Sequence, residues 1–174
     1  MGKLDLLFNR KSVRHFKKEG EIPAKDLEMM VKAGMAAPSA MNRQPWEFFI
    51  ITERVLLDLL ADRLPYAKML YDAKAAIIVC GNKNRNAPER PDDYWVQDCS
   101  AATQNILLAA EEMEYGAVWT AAYPVKERVI TVVNALHLPT HFVPLNVIPV
   151  GIPSGEDKIK DKWDPQKVHW GEWE

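Results

Sequence analysis

The chain has 174 residues, 48% hydrophobic and 26% charged, with a formal net charge of -2. This length predicts one domain over residues 1–174 with a sizeable core, and the composition excludes global disorder. The slightly negative charge gives no overall attraction to nucleic acid or to an anionic membrane, so we expect neither as a partner.

The N-terminus and the cysteines favour a cytoplasmic protein. The first apolar run is too short for a signal peptide, and no segment is long enough to span a bilayer. Myristoylation requires Ser or Thr where this chain has Leu6. Cys80 and Cys99 lie in apolar surroundings and are predicted to be packed core thiols. No spacing of Cys and His resembles a metal site, so none is predicted.

The first half of the chain alternates between helical and strand patterns. A short helix is predicted over residues 3–8, and Pro23 opens a second helix that ends near Ala37. Residues 46–52 have a strand pattern. Thr52 is then predicted to cap a helix over residues 53–64.

The second half continues the alternation. The apolar run over residues 75–81 predicts a buried strand, and Asp92 or Asp93 is predicted to cap a long helix that Gly116 ends. A strand follows over residues 117–122, and Pro124 opens a helix to about Leu136. The stretch 142–153 is extended, and its two internal prolines suggest an edge strand or a partly paired strand. The connections are too irregular for a doubly wound repeat, so we expect an α+β domain with a central sheet.

The C-terminal arm, residues 153–174, has neither a helical nor a strand period. It nevertheless contains Trp163, Trp170 and Trp173. Disordered tails rarely keep such large apolar side chains. We therefore expect the arm either to fold back on its own domain or to lie across another subunit.

Basic residues alternate near both ends of the chain. In an extended segment Arg10, Ser12 and Arg14 share one face, and two guanidinium groups with a hydroxyl match a phosphate monoester. A solvated basic loop is the alternative. Lys160 and Lys162 lie in a similar alternating stretch. If the arm folds back, the two clusters converge on one doubly charged anion, which indicates a phosphorylated small molecule.

A polar segment precedes the strand at residue 46. Its hydrogen-bonding side chains include Ser39, Asn42 and Gln44. The segment either forms a simple turn or uses these side chains to bind a ligand. No glycine-rich phosphate loop, nucleophile elbow or hydrolytic triad is present in the sequence. We therefore expect a bound cofactor to supply the chemistry.

Three stretches together resemble the FMN-dependent nitroreductase family: NRKSVRHF over residues 9–16, APSAMNRQPWEF over residues 37–48, and the lysine-bearing arm. Residues 98–124 resemble the family's long helix and the strand after it. The chain is similar to a short, single-domain member. The resemblance implies a mixed central sheet flanked by helices, in an intertwined homodimer with two FMN molecules at the interface.

The resemblance also implies the site residues. Those implied to hold the FMN phosphate and ribityl chain are Arg10, Ser12, Arg14, Lys160 and Lys162. Those implied to reach the flavin of the partner subunit are Pro38, Ser39, Asn42 and Gln44. The segment implied on the other side of the ring is Trp119, Thr120, Ala121 and Ala122. Larger members have Glu-Gly at the last two positions and an extra helical insertion, so the range of acceptors stays open.

The implied activity transfers hydride from NADH or NADPH through flavin N5 to a nitroaromatic, quinone or related conjugated acceptor, in a ping-pong mechanism. This scheme requires no acidic or basic side chain, so no catalytic residue is assigned. Backbone N–H groups and amides would tune the ring. The alternatives are a flavin-binding storage or sensing protein without turnover, or a flavoenzyme of the same fold that performs reductive dehalogenation or flavin breakdown.

Overall fold

A computed structural model of the chain describes residues 4–85 and 94–173. The described helices are α1 (Asp5–Asn9), α2 (Ala24–Met35), α3 (Arg54–Arg63), α4 (Tyr94–Glu112) and α5 (Lys126–Leu136). The described strands are β1 (Trp46–Ile51), β2 (Ala75–Asn82), β3 (Gly116–Ala117), β4 (Thr120–Ala121) and β5 (Phe142–Gly151). Short 3-10 turns occupy Ala40–Asn42, Lys68–Tyr71, Lys83–Arg85 and Pro165–Lys167. None of these helices is both long enough and apolar enough to cross a bilayer.

The strands form one sheet in the order β1-β2-β5-β3, and β4 also pairs with β5. Trp46 opposes Gly81 between β1 and β2, and Ile77 opposes Ile148 between β2 and β5. The predicted α+β class is confirmed. Within the described part of a single chain, all four strand pairings are antiparallel, whereas the resemblance implied a mixed sheet.

The prediction that β5 is an edge strand is wrong, because β5 lies between β2 and the short strands β3 and β4. The alternative of partial pairing is correct on one side. There β3 and β4 oppose residues 150–151 and 146–147 of β5. Pro144 and Pro149 fall outside these pairs, so neither ladder with β3 or β4 needs the N–H that proline lacks.

Every residue of β2 is buried, because the sheet is covered on both faces. Successive side chains of a strand point to opposite faces. Ile78 accordingly packs in a core with Leu57 of α3 and Val132 of α5. Ile77 packs in a second core with Met30 of α2 and Ile106 of α4. This two-sided burial explains why the sequence of β2 is a continuous apolar run rather than an alternating one.

The two cysteines are buried core thiols, as predicted, and they lie in different cores. The Cys99 Sγ atom lies 3.6 Å from the Cys80 carbonyl oxygen and donates to it. Burial raises the pKa of Cys80 to about 12 and also raises the pKa of Cys99. Both groups are therefore protonated at neutral pH and are poor nucleophiles.

Two predicted helix boundaries are wrong. Glu53, not Thr52, precedes α3 as its N-cap, and its side chain makes no capping hydrogen bond. At the end of α4 the left-handed residue is Glu114, with φ of 62°, and not Gly116. The N–H of Tyr115 donates to the carbonyl oxygen of Ala110 at 2.8 Å, which closes the last turn in a Schellman pattern. The predicted cap at residues 92–93 lies outside the described residues.

Gly116 is instead required by close packing of the N-terminal segment on the sheet. A Cβ atom at Gly116 would lie 2.5 Å from Cγ1 of Val13, and one at Gly151 would lie 2.6 Å from Cδ1 of Phe16. The Val13 N–H donates to the Ala117 carbonyl oxygen at 3.0 Å. Residues 10–16 are therefore laid along β3 and the end of β5, which positions the predicted basic cluster.

Candidate functional site

The two ends of the chain meet, which is one of the two arrangements expected for the arm. Arg10 lines a cleft of about 560 Å³ together with Lys160 and Lys162. The apolar walls of this cleft, here called the arm cleft, are formed by Leu7, Phe8, Ile159 and Trp163. Three cationic side chains from opposite ends of the sequence thus line one small volume.

The carboxylate of Asp157 helps to hold the two ends together, beside the backbone bridge between Phe16 and Pro153. Asp157 accepts hydrogen bonds from the backbone N–H groups of Arg14 at 3.0 Å and His15 at 3.1 Å. Its other oxygen lies 3.2 Å from Nδ1 of His15. Burial alone would raise the pKa of Asp157, but these hydrogen bonds outweigh burial and hold the pKa below its ordinary value. The carboxylate is therefore ionised at neutral pH.

The predicted cationic residues have no anionic partner within residues 4–85 and 94–173. The structure records no polar partner there for the side chains of Arg10, Arg14, Lys160 and Lys162, or for the half-buried hydroxyl of Ser12. Lys11 differs from them, because it forms an ion pair with Glu111 at 3.0 Å. A cluster of cations that lack internal partners is suited to an external anion.

Arg14 lines a second cleft, of about 490 Å³, together with Trp119, Thr120 and Ala121. We call it the strand cleft because β4 forms one wall. Ala122 is buried behind it and lines a narrower neighbouring pocket. The Thr120 hydroxyl donates to the carbonyl oxygen of Val147 at 2.7 Å, so this donor serves the sheet. Arg10 and Arg14, which were expected on one face, therefore line different clefts in the single chain.

The sequence did not point to three polar residues of the strand cleft: Tyr66, Lys68 and Arg128. Lys68 follows α3, and its ammonium group donates to the last carbonyl oxygens of that helix, those of Ala61 at 2.7 Å and Asp62 at 3.2 Å. These residues have no distinctive spacing in the sequence. Packing of α5 and the Lys68–Tyr71 turn beside β4 brings them together.

Arg128 contacts two of the other residues of the strand cleft. Its guanidinium group lies 4.9 Å from the centre of the Tyr66 ring. One of its N–H groups donates to the carbonyl oxygen of Ala121 at 3.3 Å. The side chain thus links α5 to the strand whose residues were implied to face a flavin.

The polar segment over residues 38–44 lines neither cleft. Its side chains bond within the segment: the Gln44 N–H donates to Oγ of Ser39 at 3.0 Å, and the Gln44 side-chain amide donates to Oδ1 of Asn42 at 2.9 Å. Pro38, Asn42 and Gln44 are exposed. The segment is therefore a surface feature that stands apart from the basic residues of its own chain.

This segment has an unusual backbone. Met41, Asn42 and Gln44 have positive φ angles of 52°, 54° and 50°. Left-handed residues other than glycine cost about 1–2 kcal/mol each, so such a run persists only where other contacts hold it. One such contact comes from Asp98 in α4, which accepts the N–H of Ala40 at 2.8 Å. Burial raises the pKa of Asp98, and the hydrogen bond from Ala40 partly offsets this effect.

Comparison with known proteins agrees with the fold. The sequence pattern of the nitroreductase family matches residues 7–64 and 57–152. A relative from Methanothermobacter thermautotrophicus, provisionally named NADH dehydrogenase/NAD(P)H nitroreductase, is 37% identical over 99% of this chain and 88% of its own. A crystal structure with the same provisional name from Bacteroides thetaiotaomicron has a TM-score of 0.92 and 47% identity, and covers 99% of this chain and 100% of its own.

A third similar protein is named an FMN-dependent nitroreductase and comes from Clostridium difficile R20291. Its structure has a TM-score of 0.87 and 25% identity, and covers 97% of this chain and 98% of its own. The family pattern spans most of the sequence, and the structural agreement extends over nearly the whole length of both chains. The chain therefore belongs to the nitroreductase family of oxidoreductases.

Proposed function

We propose that this chain is a single-domain, FMN-dependent oxidoreductase that passes electrons from NADH or NADPH to nitroaromatic, quinone or related conjugated acceptors, and that it works as a homodimer. The observation that carries the proposal is the arm cleft. There Arg10 meets Lys160 and Lys162, none of which has a polar partner within the described residues. Arg14 does not line the arm cleft and lies instead in the strand cleft, which Tyr66 and Trp119 also line.

These residues fit FMN by their chemistry. A phosphate monoester needs cationic and N–H donors. Arg10, Arg14, Lys160 and Lys162 supply them and form no ion pair among the described residues, although Asp161 also lines the arm cleft. A flat conjugated ring needs an apolar or aromatic wall, and Trp119 and Tyr66 line the strand cleft. The short strand β4 adds polar backbone atoms at its edge, which suit the hydrogen-bonding rim of such a ring.

FMN, when bound, supplies the redox chemistry by accepting hydride from NAD(P)H and returning electrons to an acceptor. The protein's role is to bind FMN and to orient it. Arg10, Arg14 and the arm lysines would hold the phosphate end, and the segment Trp119–Ala121 would lie along the ring. We assign no acid or base side chain, because water reaches the open cleft and supplies protons. One site that serves donor and acceptor in turn implies ping-pong kinetics.

The homodimer proposal rests on exposed features that a single chain leaves unpartnered. Leu7 is 50% exposed and Phe8 is 70% exposed in α1, and Trp170 in the arm is 92% exposed. Large apolar side chains that are this exposed are typical of an interface. The strained, exposed segment over residues 38–44 is suited to reach the flavin site of the second subunit.

Flavin content and reduction test the proposal directly. We expect the purified protein to be yellow, and its absorbance near the visible flavin band to bleach when NADH or NADPH is added without oxygen. Addition of a nitroaromatic or a quinone should restore the colour. Double-reciprocal plots of the steady-state rate against NAD(P)H concentration, at several acceptor concentrations, should be parallel. Bound flavin that fails to bleach would favour a storage or sensing protein. Reoxidation by halogenated phenols alone would favour reductive dehalogenation.

A further inference from the structure

The charges that line the strand cleft are of one sign. Arg14, Lys68 and Arg128 contribute cationic groups, and none of the described residues that line this cleft is acidic. The chain as a whole has a formal net charge of -2, so this local excess of positive charge is not a consequence of composition. A cleft lined by charges of one sign raises the local concentration of ligands that carry the opposite charge.

Two of these three cations have other roles. The ammonium group of Lys68 closes the C-terminal end of α3 through the carbonyl oxygens of Ala61 and Asp62. Arg14 belongs to the cationic cluster that the proposed function assigns to the phosphate of FMN. Arg128 remains as the cation available to a second ligand.

The environment of Arg128 prepares it to recognise a planar anion. Its single recorded side-chain hydrogen bond within the described residues goes to the Ala121 carbonyl oxygen at 3.3 Å, and a guanidinium group has five N–H donors. Stacking on the Tyr66 ring, at 4.9 Å, restricts its orientation. A guanidinium group held in this way presents its remaining donors as a fork, which matches the two oxygens of a carboxylate.

We propose that Arg128, oriented by Tyr66 and by the Ala121 carbonyl group, makes the enzyme prefer conjugated acceptors that bear an anionic substituent such as a carboxylate. This inference rests on the proposed function, because it concerns the second ligand of the same cleft. It adds the class of acceptor, which the fold does not specify. Arg128 is in this sense a specificity residue that touches the substrate.

Two acceptors with the same ring and nitro group separate charge from shape: 4-nitrobenzoate, which is an anion, and 4-nitrobenzyl alcohol, which is neutral. With the FMN-loaded protein we expect a higher kcat/KM for 4-nitrobenzoate. The substitution Arg128→Gln retains an amide donor for the Ala121 carbonyl oxygen but removes the charge. It should lower kcat/KM for the anion by about 10- to 100-fold, and for the neutral acceptor by less than about twofold.

Two further variants control for shape and for general charge. Arg128→Lys keeps the charge but loses the fork and the stacking, so part of the preference should survive. Lys126→Gln removes an exposed cation from the same helix. Lys126 lines none of the described clefts, so kcat/KM should stay unchanged for both acceptors. An equal loss with both acceptors in Arg128→Gln would overturn the proposal, as would no loss with either.

Equilibrium binding provides a readout that needs no turnover. Calorimetric titration of the oxidised protein with 4-nitrobenzoate should show binding that weakens with added salt and that Arg128→Gln weakens by a similar factor. Absence of flavin, or flavin that NAD(P)H does not bleach, would refute the proposed function, and the titration would still report on Arg128. Bleaching and turnover without any preference for the anion would refute only the present inference.

Discussion

The carboxylate of Asp157 accepts a hydrogen bond from the backbone N–H of Arg14 at 3.0 Å, and this contact joins the C-terminal arm to the N-terminal basic segment. Asp157 is a half-buried residue close to Lys160 and Lys162 in sequence. It carries a negative charge beside a site proposed for a phosphate. Its contribution to binding must therefore come from the backbone that it holds, because its charge opposes the ligand.

Asp157→Ala should weaken FMN binding by about tenfold, although it removes a like charge. The loss of acceptors for the N–H groups of Arg14 and His15 costs about 1–2 kcal/mol and leaves the arm free to move. Fluorescence titration of the apoprotein with FMN measures the effect. Glu156→Ala, at an exposed neighbouring position, serves as the control. Tighter binding in Asp157→Ala would indicate that its charge matters more than its hydrogen bonds.

The same carboxylate predicts an acid-dependent loss of stability. Because the pKa of Asp157 is lower in the folded protein, its stabilisation is complete above the ordinary Asp pKa of about 3.9 and is lost as the pH falls through the lower, folded value. Asp157→Asn cannot ionise. The difference in the free energy of unfolding between the parent and Asp157→Asn should therefore shrink below about pH 4, as measured by urea unfolding at several pH values. A constant difference across that range would contradict this prediction.

Arg14→Ala should reduce FMN affinity by roughly 1.5–3 kcal/mol, or about one to two powers of ten in Kd, because it removes a charge-assisted phosphate contact. The same titration measures it. Lys17→Ala removes an exposed cation whose recorded contact is through the backbone N–H, to the Ile152 carbonyl oxygen, and should leave Kd unchanged. An unchanged affinity in Arg14→Ala would remove this arginine from the site.

Deletion of residues 158–174 should weaken both dimerisation and flavin retention. The deleted part contains Lys160 and Lys162 of the arm cleft and the exposed Trp163, Trp170 and Trp173. Light scattering after size exclusion, with absorbance for flavin, measures both properties. The double variant Lys160→Gln, Lys162→Gln keeps the tryptophans, and should lose flavin while remaining dimeric. A truncated protein that stays dimeric and yellow would show that the arm is needed for neither property.

Asp98 provides a matched test of the segment over residues 38–44. Asp98→Asn keeps an oxygen for the Ala40 N–H and removes a buried charge, so the free energy of unfolding at neutral pH should be unchanged or higher. Asp98→Ala leaves the N–H without its acceptor and should cost about 1–3 kcal/mol. The expected gain in Asp98→Asn follows from burial. Burial raises the pKa of Asp98, so above that pKa the parent protein must hold a costly ionised carboxylate that the Asn variant lacks. A stability loss in Asp98→Asn equal to that in Asp98→Ala would contradict this account.

The elements of the core could be predicted because their patterns are local. The apolar run of β2 and the helical stripe of α4 follow from the periodicity of side-chain direction, and both are present. Boundaries were less predictable. Gly116 has the residue type of a helix end, but Glu114 adopts the left-handed conformation, and Gly116 is needed for the close approach of Val13. The sequence does not show which of two reasons for a glycine applies.

The position of β5 was also beyond local reasoning. Its prolines suggested an edge, yet the strand is central, because β2 pairs with one of its edges and the short strands β3 and β4 pair with the other. Pro149 lies between the residues that oppose β3 and those that oppose β4. Strand order depends on contacts between residues distant in the chain, and these leave no period in the sequence.

By itself the sequence determined the α+β class, the buried faces of the helices and strands, and the basic and polar segments that resemble the nitroreductase family. Each of these depends on residue type and on spacing within a few turns. Only the tertiary structure decided that Arg10 shares a cleft with Lys160 and Lys162, that Asp157 holds Arg14, and that Arg128 reaches Ala121. The first two relationships join opposite ends of the chain, and the third depends on how α5 packs beside β4. Packing of the helices and the arm against one sheet creates all three, and such packing leaves no period in the sequence.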